Sequence, residues 1–582
     1  MRIKEVSLYN YRSFANQGET IVEFPDIKHP ISIIGHNNAG KSNLIDTILL
    51  LLGKKSAYGN NFTKDDFFNQ HTDEEIVLQG KITDPTKLTF CDIYRNFHTV
   101  DTIKLTISYE NGYCETSHIL CDTNGKQLYI TETIKKKKEQ EYTSAEEQIL
   151  TERRNGGLVY FSKIKNKIPL YFINPVALES ELSPRKNSLL GDIMKNVKNT
   201  FETKMFPIDY PRVAWRGKTR KDIFNNCLKA MENEVLRTEE LDELVSTIKQ
   251  AIIEQLNLAD GNFDIGLNLP DIDVFYKNLD FLMKDNKDPQ KPKLPITSFG
   301  KGFMFLFVIA LLKILSREKE GENIFILEEP ETFLHEHYQE YFYKVLCQLA
   351  ENNQVIYTTH SKKFINLFEP QSIIRLDNKN YSATQVIQSS EQFIATPTDY
   401  AKYITNIEPN LGNLIFSDKT LIVEGAHDIL AYKTIFENYV NFGMKNIAVI
   451  AAFGKDSILN LVKLCKLYQI DYFVIHDWDL DDEDIDISIE SVNSTVYSNL
   501  NANEKQQYTK NHKILKEAGL NKVHQNKRRL EEVLGIPQSE KGCEAVYEKL
   551  NGKTLDDIKR EFPKLIDDNL LNFLNVKLGC AS

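Results

Sequence analysis

Long apolar runs are missing from this chain. Stretches such as Ile48 to Leu52 and Phe303 to Leu312 fall well short of the roughly 20 residues that cross a bilayer. The opening Met1-Arg-Ile-Lys-Glu lacks the apolar segment of a secretory signal. No membrane association is expected, and the expected location is cytoplasmic. Cysteine is sparse as well: eight residues, with neither the close pairing of zinc sites nor the density of a disulfide scaffold. Reduced, buried thiols without a functional role are the expectation. Excess positive charge is also lacking, and a net charge of −11 excludes a uniformly basic nucleic-acid binder. Part of that acidity sits in carboxylate clusters that metal would neutralise. No internal repeat or long low-complexity tract is visible.

The composition that remains, 41% hydrophobic and 26% charged, is that of a globular protein. At 582 residues the chain exceeds one ordinary core, so two or three domains are expected. Local basic patches stand at Lys135 to Lys138, Arg153-Arg154, Arg212 to Lys221 around Trp215, and Lys527-Arg-Arg529. Each reads as a solvated face or as a DNA contact.

Alternating patterns predict strands from Ile3, at Ile21 to Phe24 and at Ile31 to Ile34, then at Ile76 to Ile82 and Thr102 to Tyr109. The stretch from Ile134 to Arg154 is highly charged and reads as exposed. Leu170 to Asn174 is expected to be a buried strand stopped by Pro175, and Leu178 to Leu258 a set of helices, clearest from Glu239 to Leu256. Strands resume at Asn323 to Leu327 and Gln354 to Tyr357. Beyond Pro397-Thr-Asp399 an α/β pattern follows, with strands at Thr420 to Val423, Ile447 to Ile450 and Tyr472 to Ile475.

Gly35-His-Asn-Asn-Ala-Gly-Lys-Ser42 is a complete P-loop, following a strand and opening the apolar helix Asn43 to Leu52 that Gly53 ends. Such a loop binds ATP. Gly35, Asn37, Asn38 and Gly40 wrap backbone N–H groups around the phosphates, Lys41 reaches the β/γ-phosphates, and Ser42 binds Mg²⁺. Ile324-Phe-Ile-Leu-Glu-Glu-Pro330 supplies the acidic partner, with Glu328 in the Mg²⁺ shell and Glu329 placed to polarise the attacking water. Ser298-Phe-Gly-Lys-Gly302 has the Ser-x-Gly-x-Gly form of an ABC signature, with Ser298, Gly300 and Gly302 as nucleotide contacts. Thr358-Thr-His-Ser361 offers His360 as a switch to the γ-phosphate. Singly, the pentapeptide is only a glycine turn and the histidine only a surface residue. In this order the four elements predict an ABC-type ATPase head, in which the signature of one subunit completes the P-loop site of another, so a dimer is expected.

A second site is written further on. Glu424 and Asp428 in Leu421-Ile-Val-Glu-Gly-Ala-His-Asp428, with Asp477-Trp-Asp479 about fifty residues later, place acidic residues at strand ends. Two-metal phosphodiester chemistry needs such hard oxygen ligands for Mg²⁺ or Mn²⁺. The set converges only if the strands are adjacent. Asp481-Asp-Glu-Asp484 reads as a solvated acidic loop. Leu530-Glu-Glu-Val-Leu534 offers Glu531 or Glu532 as a further ligand, or is simply an amphipathic helix. Lys541 is a candidate for neutralising transition-state charge.

Taken together, Asn10-Tyr-Arg-Ser-Phe14, the P-loop, Asp65-Asp-Phe67, Glu328-Glu-Pro-Glu-Thr-Phe-Leu-His335, Thr358-Thr-His-Ser361 and Asp418 to Asp428 resemble the OLD (overcoming lysogenization defect) family of nucleases. The resemblance covers essentially the whole chain. It implies an α/β fold: an ABC-type, SMC/RecF-like ATPase head with a helical dimerisation insertion, then a C-terminal Toprim domain. The expected boundaries are 1–175 and 286–398 for the two ATPase parts, 176–285 for the insertion, and 399–582 for Toprim. The resemblance further implies Glu424, Asp428, Asp477, Asp479 and Glu531 as ligands to two Mg²⁺ or Mn²⁺ ions, and makes Lys541 the position most similar to the family's catalytic lysine, with Lys549 nearby. Family members resemble anti-phage effectors, including the nuclease subunit of Gabija systems and OLD proteins associated with retrons or prophages. The implied function is an ATP-binding and ATP-hydrolysing, metal-dependent DNA endonuclease. Its implied partners are DNA, a second copy of the chain, and a helicase-like protein or a retron reverse transcriptase with its msDNA. The alternatives are an SMC/RecF-like DNA clamp with a structural Toprim domain and a nuclease acting on RNA. A topoisomerase or primase lacks support: no nucleophilic tyrosine context or zinc ribbon is visible.

Overall fold

The computed structural model describes residues 1–83, 88–91, 97–125, 127–128, 170–183, 188–191, 194, 201–231, 239, 243–244, 246–250, 281–283, 293–318, 323–378, 382–391, 411–480, 494–540 and 542–576. The charged stretch 134–154, the basic runs within it, most of the Glu239 to Leu256 helix, Pro397-Thr-Asp399, Asp481 to Asp484 and Lys541 lie outside them. The chain divides into two compact units, 1–170 with 321–331 and 339–582, and 171–320 with 332–338.

In the first unit, β1 (Ile3–Tyr9), β2 (Thr20–Glu23), β4 (Ile76–Ile82), β5 (Thr102–Glu110) and β6 (Tyr113–Cys121) form an antiparallel sheet in the order β2-β1-β4-β5-β6. One face of β4 is buried at Ile76, Leu78, Gly80 and Ile82, which is the alternation a one-sided sheet requires. The fully buried β3 (Ile31–Ile34) belongs to a different sheet and leads into α1 (Lys41–Leu51). Its partners are β7 (Ile324–Leu327), β8 (Gln354–Thr358, following α2, Glu336–Ala350), β9 (Ile373–Asp377) and β10 (Gln385–Gln388), in the order β7-β8-β3-β9-β10. All but β10 run parallel. Their solid apolar runs are those of strands covered on both faces.

The C-terminal part holds a four-stranded parallel sheet. In chain order it contains β11 (Lys419–Val423), α3 (Ala426–Phe436), β12 (Ile447–Ala451), α4 (Lys455–Leu467), β13 (Asp471–Asp477), α5 (Ala502–Ala518), β14 (Val523–Asn526) and the short α6 (Leu530–Val533). The strand order is β12-β11-β13-β14. One face is covered by α4 and α5 through Ile458, Leu461, Val462 and Ile514, in a core that continues to Ile34 and Ile373 of the sheet that holds β3, and to Leu367 in the connection between β8 and β9. The other face is covered by α3 and C-terminal helices through Tyr432, Ile435, Val546 and Leu570.

Leu170–Ile173, at the boundary between the units along the chain, is a strand that ends before Pro175, and in the second unit the helix Lys301–Glu318 starts two residues earlier than the apolar run from Phe303 suggests. Residues 246–250 are helical, in the described part of the expected helix. Thiol burial is only partly as expected. Cys114 and Cys465 are buried, but Cys227 and Cys543 are exposed because each sits on a solvent-facing helix position. Among the described residues, no helix is long and apolar enough to cross a membrane.

Candidate functional site

The P-loop is shaped by close approach. Gly35 has φ 150°, and a Cβ there would meet the Leu376 carbonyl oxygen at 2.3 Å; Gly40 has φ 98°, and a Cβ would meet Ser13 Oγ and Thr384 Oγ1 at 2.8 Å. Only glycine fits either position. Lys41 Nζ folds back on the loop, donating to the carbonyls of Gly35 (2.8 Å) and His36 (2.9 Å). Burial lowers its ammonium to about 8, against the pull of Glu329, Glu331 and Glu328. Ser42 Oγ donates to Glu328 Oε1 at 2.7 Å, which puts the two expected Mg²⁺-shell residues side by side. Glu329 has φ 42°, uncommon for a side-chain-bearing residue, and its N–H donates to the carbonyl of Thr358 (3.1 Å). His360 Nε2 lies 3.6 Å from Glu329 Oε1. The expected base and the expected switch histidine therefore meet.

Glu331 escaped the sequence reading. It accepts from Thr359 Oγ1 (2.9 Å) and from the His360 N–H (2.5 Å), so it sets the switch loop after β8. The Asn10-Tyr-Arg-Ser-Phe14 and Asp65-Asp-Phe67 motifs also acquire a physical role. Arg12, at φ 51°, donates to Asp66 (2.8 Å), to Asp46 (2.9 Å) and to Asn43 (3.2 Å), clamping the first turns of α1. In the second unit, Ser298 and Gly300 are exposed, and a Cβ on Gly302 would meet the Phe333 carbonyl oxygen at 3.0 Å.

In the C-terminal sheet, β11 lies between β12 and β13, so the carboxylates that follow β11 and end β13 are neighbours. Glu424 Oε2 accepts from the Asp477 N–H at 3.0 Å. Asp428 caps α3, its Oδ2 accepting from the Gly425 N–H (2.8 Å), while its Oδ1 is buried with no hydrogen-bond partner. Asp477 Oδ1 accepts from Asn526 Nδ2 (3.2 Å) and the Leu530 N–H (3.0 Å). Glu531 is buried against His427, Oε1 to Nδ1 at 2.9 Å, whereas Glu532 points outward beside Arg528. Of these two glutamates, Glu531 is the buried one and Glu532 the exposed one.

Burial, then the charges of Asp428 and Glu424, push the Asp477 carboxyl up to about 8. Burial, then Glu424 and Glu531, push Asp428 up to about 7, and burial raises Glu424. Asp479 goes the other way. Burial would raise it, but Lys455 and Arg529 outweigh that and hold it below the usual range. An orphaned buried oxygen among mutually repelling carboxylates fits hard divalent cations, with Glu424, Asp428, Asp477 and Glu531 as the oxygen donors. His427, Asn526 and Lys455 were not singled out from sequence. Lys455 follows a glycine at a strand end, the one signal that could have found it. Of the basic triplet, Lys527 lies over the Trp478 ring (4.6 Å), Arg528 beside Glu532, and Arg529 Nε on Asp479 Oδ1 (3.0 Å). Lys549 is exposed on its helix.

A bridge joins the two parts. His36 of the P-loop faces Asp377 (Nε2 to Oδ1, 3.3 Å) and Asp418 (Nδ1 to Oδ1, 3.0 Å), and Arg375 reaches Asp377 and the carbonyls of Ser417 and Tyr468. His36, Asp377 and Asp418 bring ligand atoms within 4.8 Å of one another, with a carboxylate facing each ring nitrogen and the Arg375 guanidinium 3.6 Å from Asp377 Oδ2.

Residues 1–365 match the AAA ATPase domain family, and residues 415–479 match the overcoming lysogenization defect protein-like Toprim domain. An OLD nuclease of Thermus scotoductus is 23% identical over 518 residues, covering 87% of each chain. Endonuclease GajA of Bacillus cereus is 24% identical over 83% of this chain and 77% of its own, and the Old nuclease of Escherichia phage P2 is 21% identical over 82% and 77%. The two matched segments contain the P-loop, Glu328, Glu329 and His360 in one and Glu424, Asp428, Asp477 and Asp479 in the other. The chain belongs to the AAA ATPase domain family and carries an OLD-like Toprim domain behind its ATPase.

Proposed function

We propose that this protein is an ATP-binding and ATP-hydrolysing, divalent-metal-dependent DNA endonuclease, acting in the cytoplasm as an effector of anti-phage defence. One observation carries the reading: the crowding of Glu424 and Asp477, at adjacent strand ends, with Asp428 in the first turn of α3, its Oδ1 buried and orphaned. Gathering like charges in a buried cleft destabilises a fold unless cations occupy it, so a purely structural Toprim domain has no reason to keep them. That favours a nuclease over an SMC/RecF-like clamp. Two Mg²⁺ or Mn²⁺ ions bound there would supply Lewis-acid activation of the phosphodiester and of the attacking water.

The chain's own residues divide the remaining work. Glu424, Asp428, Asp477, Asp479 and Glu531 supply ligand oxygens, Asp479 once Lys455 and Arg529 give way, while Asn526 and the Leu530 N–H orient Asp477 and His427 orients Glu531. In the ATPase, Lys41 and the loop N–H groups bind phosphates, Ser42 and Glu328 share the Mg²⁺ shell, and Glu329 orients water with His360 beside it. The exposed Ser298 and Gly300 suit completion of a partner's nucleotide site, with 176–285 as the dimer contact. A helicase-like protein or a retron reverse transcriptase with its msDNA is the class of further partner that this reading favours.

The test is incubation of purified protein with plasmid DNA, linear DNA and RNA, with Mg²⁺ or Mn²⁺, with and without ATP. Nicking or cleavage of DNA that requires the metal is expected. Metal-independent DNA binding without cleavage would move the assignment to a clamp, and cleavage of RNA alone would move it to an RNA nuclease.

A further inference from the structure

Lys455 opens α4 immediately after Gly454, whose φ of 125° turns the chain at the end of β12. It is only 4% exposed, yet it sits in the acidic cleft and not in a core. Its Nζ lies 3.1 Å from Asp479 Oδ2, 3.2 Å from Gln507 Oε1 and 3.4 Å from the Trp478 carbonyl oxygen. The other oxygen of Asp479 is held by Arg529 Nε at 3.0 Å. The cleft is therefore split. Asp428 keeps a buried oxygen without a hydrogen-bond partner, whereas Asp479 has a protein cation on each oxygen.

Two cations on one carboxylate oppose the entry of a third. An ammonium taken out of water is also costly to keep unless charge partners compensate it, and the carbonyl and the amide beside Lys455 do not call for a full charge. Lysine carries its charge on a flexible stem with three rotatable donors, so it can change partner without moving the backbone. The anion that a Toprim cleft would receive is a phosphodiester.

We infer that Lys455 is a phosphate-binding residue held in reserve by Asp479: in the metal-free site it neutralises that carboxylate, and in the loaded site it releases Asp479 and donates to the DNA phosphodiester. The inference rests on the nuclease reading above. Lys455 and divalent cations then compete for Asp479, so removing the ammonium should tighten metal binding while weakening cleavage. A lysine that merely pins the fold would lose both together.

The test uses the full-length protein with Lys455→Met and Lys455→Gln, the second keeping a polar group for Gln507 and the Trp478 carbonyl. Mn²⁺ affinity is measured by calorimetry without DNA, Ca²⁺-supported affinity for a short duplex by fluorescence anisotropy, and cleavage at saturating Mn²⁺ separately. Both variants should bind Mn²⁺ several-fold more tightly, bind the duplex more weakly, cleave on the order of 100-fold more slowly, and hydrolyse ATP as the parent does. Unchanged or weaker Mn²⁺ binding would overturn the proposal, as would loss of the fold in both variants, because Lys455 would then be a structural pin. A parent protein that itself neither binds Mn²⁺ nor cleaves would refute the nuclease reading, an outcome distinct from a normal parent with indifferent variants.

Discussion

His36 Nδ1 lies 3.0 Å from Asp418 Oδ1, which ties the second residue of the P-loop to the residue preceding β11, the strand that Glu424 follows. Asp418 is held below its usual range although burial opposes this, chiefly through the His36 ring. A phosphate bound in the loop and a metal bound at the strand end would thus be linked through one side-chain pair. His36→Ala or Asp418→Asn should bring the ratio of cleavage rates with and without ATP toward one, whichever direction ATP acts in the parent. Coupling of this kind is typically on the order of 5-fold or more. An unchanged ratio in both variants would place the coupling elsewhere.

The raised carboxyls give the metal-free protein a signed pH dependence. With Asp428 near 7 and Asp477 near 8, against roughly 4 in an unfolded chain, the folded state holds more protons than the unfolded state across that window. Their contribution to stability is complete below the unfolded value and is lost as pH rises through the folded ones. Melting of the EDTA-treated protein should fall from about pH 5 to about pH 8.5, and Mg²⁺ should abolish the fall, since metal binds the deprotonated forms. A flat EDTA profile would contradict the crowding.

Asp477→Asn separates stability from chemistry. Asparagine keeps an Oδ1 to accept from Asn526 and the Leu530 N–H but removes the repelling charge. The metal-free variant should gain about 1–3 kcal/mol at pH 8 while losing plasmid cleavage and keeping ATP hydrolysis. Retained cleavage would remove Asp477 from the ligand set.

Lys41→Ala should lose nucleotide binding, measured by fluorescent-nucleotide titration. Glu329→Gln should bind ATP but turn it over about 100-fold more slowly, since a neutral isostere replaces the base. Comparable turnover in the glutamine variant would remove Glu329 from that role.

The two adjacent glutamates of α6 should behave oppositely. Glu531→Gln should weaken Mn²⁺ binding about tenfold and cleavage with it, because Glu531 is buried against His427. Glu532→Gln, beside Arg528 at the surface, should match the parent in both assays. Equal losses would indicate damage to α6 as a whole.

Local chemistry made the ATP site readable in the chain. Gly35 to Ser42 and Ile324 to Glu329 are contiguous, and each carries its own strand and turn, so composition and order sufficed. The carboxylates at Glu424 and Asp477 were readable for a related reason: each follows or ends an apolar strand, and acid at a strand end is conspicuous. What the tertiary structure alone decided is which distant residues complete those sites. Parallel pairing of β11 with β12 and β13 brings Lys455 to Asp479, and pairing of β13 with β14 brings Asn526 to Asp477, although neither Lys455 nor Asn526 belongs to a motif or a periodic pattern. Whether Glu531 or Glu532 faces inward depends on the rotation of a four-residue helix, which its neighbours set and its own residues do not. The bridge from His36 to Asp418 spans nearly four hundred positions and exists only because β9 and the residues before β11 pack beside the P-loop. A pattern can reveal residues that act through their own segment, but a side chain that acts across a sheet is found only once the strands are aligned.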